Sequence, residues 1–137
     1  MRYLVSLNQR YWPVLVLVLL VLVTAGSLDP GHEPLPGFLP WDKARHFLAY
    51  AAVAFPIALA RPRRWGWMML GLLGWGLAIE FIQPAVGRDQ DMRDFLANSS
   101  GVLLAVLLSE TLRRLALAFR RGVQSLPLRR ISPFDGS

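Results

Sequence analysis

The chain contains no cysteine among its 137 residues. This absence excludes disulfide bonds, thiolate metal sites and cysteine nucleophiles, so any chemistry must come from carboxylates, histidine, tyrosine, hydroxyls, lysine or arginine. The sequence also lacks a Walker loop, a dinucleotide-binding fingerprint, a zincin helix and a serine nucleophile elbow. The common signatures of nucleotide binding and hydrolysis are therefore missing, and no internal repeat is evident.

Apolar residues make up 54% of the chain, which is more than the small core of a soluble protein of this length can hide. The net charge of +6 is compatible with nucleic-acid binding, but the arginines lie in short clusters beside apolar runs. This pattern is typical of membrane topology signals. We therefore predict an integral membrane protein that does not bind nucleic acid.

The apolar runs predict an all-α fold, a bundle of four transmembrane helices over residues 12–28, 43–60, 65–83 and 94–112. The fourth helix continues as a basic amphipathic stretch to Arg121. Residues 1–121 would form a single domain, and residues 122–137 a basic, proline-containing cytoplasmic tail. Small residues four apart, at Gly74 and Ala78 and at 97, 101 and 105, predict close helix packing. Residues 26–40, rich in proline and glycine, predict a surface loop.

The first apolar run has a second interpretation, because a short apolar core followed by Val23, Thr24 and Ala25 is also typical of a secretory signal peptide. Lysine and arginine set the orientation. Eleven arginines lie at the N-terminus, in the 61–64 turn and in the C-terminal region, whereas the other side has Lys43, Arg45, Arg88 and Arg93. This asymmetry predicts that both termini are cytoplasmic.

Polar side chains gather at the predicted outer ends of the second, third and fourth helices. Acid or base roles are predicted for His46, Glu80, Asp91 and Asp94, and substrate binding for Asp42, Lys43, Tyr50, Gln83, Arg88 and Asn98. A carboxylic acid such as Glu80 within an apolar membrane helix is costly unless it is paired or hydrated. Such a residue is therefore a candidate functional residue by default.

Structural roles compete with these functional ones. Asp42 and Asp94 precede helices and are suited to be N-caps, whereas His46 is suited to be a satisfied hydrogen-bond partner between helices. The two helix N-termini also suit a phosphate or carboxylate.

No cofactor is predicted, although a divalent cation is possible. The oxygen atoms of Glu80, Asp91, Asp94 and Asn98 suit Mg²⁺ or Ca²⁺. Lys43 and Arg88 nearby argue against such a site.

Three sequence blocks together resemble the VanZ-like family of small bacterial membrane proteins. The blocks contain Asp42, Lys43, His46 and Tyr50; Gly76, Glu80 and Gln83; and Arg88, Asp91, Asp94, Asn98 and Gly101. The resemblance covers about residues 40–105. It implies a multi-pass protein of the bacterial cytoplasmic membrane with a role in the cell envelope, since the family is named for a member associated with teicoplanin resistance.

The residues and the resemblance lead to one main functional hypothesis. An outward-facing polar pocket would bind the anionic head group of a membrane lipid or a lipid-linked envelope precursor, with acid–base chemistry if the protein is an enzyme. The alternatives are a non-catalytic binder or small transport element, and a purely structural membrane bundle.

Overall fold

The computed structural model describes the backbone of residues 2–30 and 41–124 and the side chains of residues 10–30 and 43–122. Within these ranges the chain is helical and has no strand. The helices are α1 (Arg2–Leu28), α2 (Trp41–Ala60), α3 (Trp65–Ile82) and α4 (Met92–Gln124), with a short 3-10 helix, Gln83–Val86, after α3. The predicted all-α fold class is therefore confirmed.

Two of the helical stretches are long and apolar enough to cross a membrane, by length and composition alone. They are Arg10–Leu28 in α1 and Trp65–Val86 at α3. Helices α2 and α4, which were also predicted to span, do not meet this criterion. Both helices contain several polar and charged residues, which lower their mean hydropathy.

Two predicted boundaries differ from the structure. The loop predicted from residue 26 starts later, because α1 continues through Gly26 and Ser27 to Leu28. Helix α4 continues to Gln124, three residues into the predicted tail of residues 122–137. Residues 31–40 and 125–137, which contain most of the predicted loop and tail, lie outside the part of the chain that the structure describes.

Helix α2 is the centre of the apolar core. It makes its most extensive contact with α4 and the next with α1. The buried residues of this core cluster are Tyr50, Val53, Ala54, Ile57 and Ala58 of α2, Met69 and Leu72 of α3, and Val102 and Ala105 of α4. Pro56 lies within α2 and is buried.

Large apolar side chains cover the outside of the bundle, whereas polar side chains are buried inside it. Trp67 is 75% exposed, and Leu17, Leu22 and Phe81 are each more than half exposed. By contrast, Glu80 is 0% exposed. Soluble proteins have the opposite distribution, since their charged residues are almost never fully buried and large apolar patches are rare on their surface.

Glycine residues allow α2 to approach α4 and α3 closely. A Cβ atom at Gly101 would overlap the backbone carbonyl oxygen of Phe47, and one at Gly76 would lie 2.9 Å from the Tyr50 hydroxyl. The small-residue face predicted on α4 is therefore a helix contact. The face predicted at Gly74 is exposed, and no atom lies within 4 Å of a Cβ placed there.

The end of the bundle at which α2 ends is held by a small charged group. Arg61 donates a hydrogen bond to Glu110 at 3.1 Å, and Arg114 donates one to the same carboxylate at 2.9 Å. The Arg61 guanidinium also lies over the Trp65 ring, 4.9 Å from its centroid. The three charged side chains are between 38% and 78% exposed, so we expect their pairing to add little stability.

We predict that Gly101→Ala destabilises the protein by about 1–3 kcal/mol, because the added methyl group meets α2 backbone that has no room to move. Gly74→Ala is the control, and it should be neutral or slightly stabilising because alanine favours a helix. Thermal unfolding of the purified full chain in mild detergent measures both. Equal melting temperatures for the two variants would contradict the close α2–α4 contact.

Candidate functional site

The first turns of α2 meet the start of α4 through charged side chains. Lys43 donates a hydrogen bond to the Asp91 carboxylate at 2.6 Å and forms an ion pair with Asp94. Lys43 and His46 are three residues apart on α2, so one face of this helix presents both towards α4. Lys43 was predicted to bind substrate, but in the structure its ammonium group is held by two carboxylates of the protein.

The N-terminus of α4 is capped by Asp91 rather than by Asp94. The Oδ1 atom of Asp91 accepts a hydrogen bond from the backbone N–H of Arg93 at 2.9 Å, which is the pattern of an N-cap residue. Because α4 begins at Met92, Asp94 lies inside the first turn and is buried. The predicted capping role of Asp94 is therefore wrong. Asp42 lies in the first turn of α2, and its side chain is outside the described part of the structure.

Glu80 lies against the buried side of this charged cluster. Its Oε2 atom accepts a hydrogen bond from the backbone N–H of Asp91 at 3.3 Å. Its Oε1 atom is buried and has no hydrogen-bond partner among the described residues. Glu80, His46 and Asp94 each offer one ligand atom, and these three atoms lie within 4.8 Å of one another. The structure thus brings three of the four predicted acid–base residues together, and the fourth, Asp91, borders them.

His46 is held between two side chains of α4. Its Nδ1 atom lies 3.1 Å from the Asn98 amide oxygen, and its Nε2 atom lies 3.4 Å from Asp94 Oδ2. Asn98 is buried and contacts the imidazole. Its side chain therefore orients His46 and does not face a groove or the surface. Asp94 and Asn98 are four residues apart on the buried stripe of α4 that also contains Gly101.

Tyr50 and Gln83, which were predicted to bind substrate, are both fully buried. The Tyr50 ring packs against Gly76 of α3. The Gln83 side-chain amide donates a hydrogen bond to the backbone carbonyl of Ser27 at 3.1 Å, which joins the 3-10 helix to the end of α1. Both side chains hold neighbouring helices together.

Arg88 reaches α1 and borders a groove between α1 and α2. Gly87 has a φ angle of 78°, a left-handed conformation that suits glycine, and it ends the 3-10 helix just before Arg88. The Arg88 guanidinium donates to the Gly26 carbonyl at 3.4 Å. The groove has a volume of about 370 Å³ and is lined by Leu22, Val23, Gly26, Ser27, Arg45, His46, Leu48, Ala49 and Arg88.

Sequence reasoning missed Arg45, which lines this groove. A signal was present, because Arg45, Leu48 and Ala49 are spaced three and four residues apart and share one face of α2. The groove therefore combines an apolar wall with two guanidinium groups, while Lys43 lies on the α4 side of α2. Glu80 is not part of the groove wall; His46 belongs both to the wall and to the buried cluster behind it.

The Lys43 ammonium is the main cause of a lowered pKa at Asp91. Its hydrogen bond to Asp91, together with the hydrogen bond from the Arg93 backbone, lowers the pKa of Asp91 below its ordinary value of 3.8. Asp91 lies before α4, and its side chain is 38% exposed. The carboxylate is consequently charged at neutral pH, and solvent screens its pairing with Lys43.

Comparisons with models of protein families, with curated proteins and with solved structures found no match to this chain. The resemblance to the VanZ-like family, which rests on three sequence blocks, accordingly stays a prediction.

We predict that Asp91→Asn lowers the free energy of unfolding near pH 7 by less than about 1 kcal/mol, because asparagine keeps the cap but loses the charge facing Lys43. Because the folded pKa of Asp91 is lowered, its charge stabilises the protein above its ordinary value of 3.8 and stops doing so as the pH falls through the folded value. The wild type and the variant should then converge in acid. Denaturant unfolding from neutral to acidic pH measures this.

The companion variant Asp91→Ala separates the cap from the charge. It should cost a further ~0.5–2 kcal/mol, because the N–H of Arg93 loses its acceptor as well. A difference between wild type and Asp91→Asn that stays constant down to the lowest pH would contradict the ionic role of Asp91.

Proposed function

We propose that the protein is a multi-pass membrane protein of the cell envelope that binds an anionic lipid head group in the groove between α1 and α2. The observation that carries this proposal is the composition of the groove. Leu22, Val23 and Leu48 provide an apolar wall, and Arg45 and Arg88 provide positive charge at its polar end. An amphipathic ligand matches this groove, because its acyl chain would contact the apolar wall and its phosphate would contact the two arginines.

Membrane insertion is supported by the distribution of polar and apolar side chains. The exposed leucines, valines and aromatic residues on all four helices would contact lipid, whereas in water they would favour aggregation. Helices α2 and α4 are less apolar, but several of their polar groups face each other inside the bundle. In a membrane, polar groups are tolerated when they are paired within the protein in this way.

The contacts of α1 favour a retained helix over a signal peptide. The Trp75 indole N–H donates to Thr24 Oγ1 at 3.0 Å, and Gln83 and Arg88 donate to backbone carbonyls near the end of α1. Trp12, Val16 and Leu19 pack against the apolar core. Removal of α1 would also remove one wall of the groove.

Arginine suits the binding of a phosphate because its planar guanidinium group donates two parallel hydrogen bonds to one anion. Arg45 is exposed at the groove and Arg88 is half-buried there. His46 lines the groove, but both of its ring nitrogens face side chains of α4, which favours binding of a head group over acid–base chemistry on it. The resemblance to the VanZ-like family favours an envelope lipid or lipid-linked precursor as ligand.

Binding without turnover, or a small transport role, would use the same groove. A purely structural bundle would not need a basic groove. Arg45 lines the groove and takes part in none of the helix contacts given above. Turnover of a lipid extract would indicate an enzyme, and ligand retention without turnover would indicate a binder or a transport element.

We predict that the double variant Arg45→Gln, Arg88→Gln binds phosphatidylglycerol about 10–100-fold more weakly than the wild type, because two charge-assisted hydrogen bonds are lost. Native mass spectrometry of the detergent-solubilised protein, titrated with phosphatidylglycerol and with phosphatidylcholine, measures this. The double variant Arg63→Gln, Arg64→Gln removes two exposed charges at the opposite end and should bind normally. Equal binding by both double variants would argue against the groove.

We also predict that the connector of residues 87–91 lies outside the cytoplasm and the turn of residues 61–64 inside it, because the arginine clusters mark the cytoplasmic side. Reporter fusions at these two positions and after residue 124 test the topology. A cytoplasmic reporter signal from the connector would contradict four spans with both ends in the cytoplasm.

A further inference from the structure

We infer that His46, Glu80 and Asp94 form a binding site for one divalent transition-metal ion, such as Mn²⁺ or Zn²⁺. The site lies behind the groove, in the buried space where α2, α3 and α4 meet. It consists of one imidazole and two carboxylates, all buried. This inference does not depend on lipid binding, and the experiment below tests it without lipid.

The distances are close to those of a metal site. Protein ligands lie about 2.0–2.2 Å from a bound zinc ion, so two ligand atoms in a tetrahedral site are roughly 3.4 Å apart. His46 Nε2 and Asp94 Oδ2 are 3.4 Å apart already. The three ligand atoms all lie within 4.8 Å of one another, so side-chain shifts of at most about 1.4 Å bring them to this spacing and leave the fourth position for water.

The orientation of His46 supports a cation at its Nε2 atom. The Asn98 amide oxygen lies 3.1 Å from Nδ1, and because this oxygen only accepts, the contact is a hydrogen bond in the tautomer that carries its hydrogen on Nδ1. In a neutral imidazole, Nε2 then presents a lone pair, and this lone pair faces the Asp94 carboxylate. Two lone pairs repel each other unless a metal ion or a proton lies between them. A histidine that ligates a metal through one nitrogen commonly donates the other N–H to an oxygen in this way.

An independent observation comes from Glu80. Its side chain is fully buried, and its Oε1 atom has no hydrogen-bond partner among the described residues. The Tyr50 hydroxyl is also buried and has no hydrogen-bond partner among the described residues. It lies beside Gly76, which is one turn before Glu80 on α3. A buried carboxylate oxygen without a partner is costly, and a bound cation would supply the partner that Oε1 lacks.

The charge of the cluster also favours a divalent cation. Glu80, Asp91 and Asp94 are three carboxylates, and the Lys43 ammonium is the cation paired with two of them. When all three carboxylates are ionised and the imidazole is neutral, these four groups hold two excess negative charges, and the two proposed carboxylate ligands, Glu80 and Asp94, are buried. One divalent ion neutralises them, whereas a second lysine-like cation would leave one negative charge.

The ligand types select the kind of metal. A mixed set of imidazole and carboxylates suits Mn²⁺, Fe²⁺ or Zn²⁺, whereas Mg²⁺ and Ca²⁺ prefer oxygen atoms alone. The all-oxygen set of Glu80, Asp91, Asp94 and Asn98 considered from the sequence does not persist in the structure. Both carboxylate oxygens of Asp91 accept hydrogen bonds, from Lys43 and from the Arg93 N–H, and Asn98 contacts His46. Asp94 pairs with Lys43 through Oδ1 and directs Oδ2 towards His46.

The test uses the full chain in phospholipid-free detergent, treated with a chelator and then titrated with Mn²⁺ alone. Electron paramagnetic resonance follows the signal of free Mn²⁺, and pulsed measurements detect nitrogen bound to the ion. We expect saturable uptake of a single Mn²⁺ per chain, a nitrogen coupling from His46 and competition by Zn²⁺ but little by Mg²⁺.

Two variants test a proposed metal ligand and the residue that supports His46. Glu80→Gln should weaken Mn²⁺ binding by at least about 10–100-fold, and Asn98→Ala, which removes the support of His46, should weaken it by a similar factor. Glu110→Gln is the matched control at the far end of the bundle and should bind as the wild type does. Circular dichroism checks that each variant keeps its helices.

Three results would overturn the inference. They are a helical wild type that takes up neither Mn²⁺ nor Zn²⁺, bound Mn²⁺ without a nitrogen coupling, and Mn²⁺ binding unchanged by Glu80→Gln. The wild-type measurements keep the test decisive even when a variant does not fold. Loss of phosphatidylglycerol binding in the arginine double variant is a separate result, so failure of one proposal is distinguishable from failure of the other.

Discussion

The close approach of α4 to the backbone of α2 at Gly101 is the contact on which the rest of the structure depends. The Phe47 carbonyl occupies the space where any larger residue would place its Cβ atom. One turn above Gly101, Asn98 meets His46, and one further turn above, Asp94 meets Lys43. A wider spacing between the two helices would separate all of these pairs, so the packing of small residues sets the geometry of the polar cluster.

Once α2 and α4 are held together, the cluster is completed from α3 and from the start of α4. Asp91 joins the two, because its side chain binds Lys43 and its backbone N–H binds Glu80. The same residue caps the N-terminus of α4. The position at which α4 begins therefore also fixes the positions of the charged groups that Asp91 contacts. In a low-dielectric setting such pairing is what allows several charged groups to be buried at one end of an apolar bundle.

The helices followed from the apolar runs. The meeting of His46, Glu80 and Asp94 was expected because they lie at the same predicted membrane depth, whereas helical periodicity decides only which side chains of one helix share a face. The assignments that differed depend on details finer than periodicity. Placing the start of α4 near residue 94 instead of at Met92 moved the expected cap from Asp91 to Asp94, which in the structure lies inside the first turn. The roles of Lys43 and Arg45 depend on tertiary pairing, which sequence spacing alone does not determine.

His46 belongs to both the groove and the buried cluster, and this links the two proposed sites electrostatically. Without a metal ion, the excess negative charge behind His46 would oppose an anion held by Arg45 and Arg88. With a divalent ion bound, that charge is neutralised, so the groove would bind an anionic head group more tightly. Because coupling between two binding equilibria is reciprocal, the head group would strengthen metal binding by the same factor. The sign of this coupling follows from charge alone, whereas its size depends on how much water enters the groove beside His46.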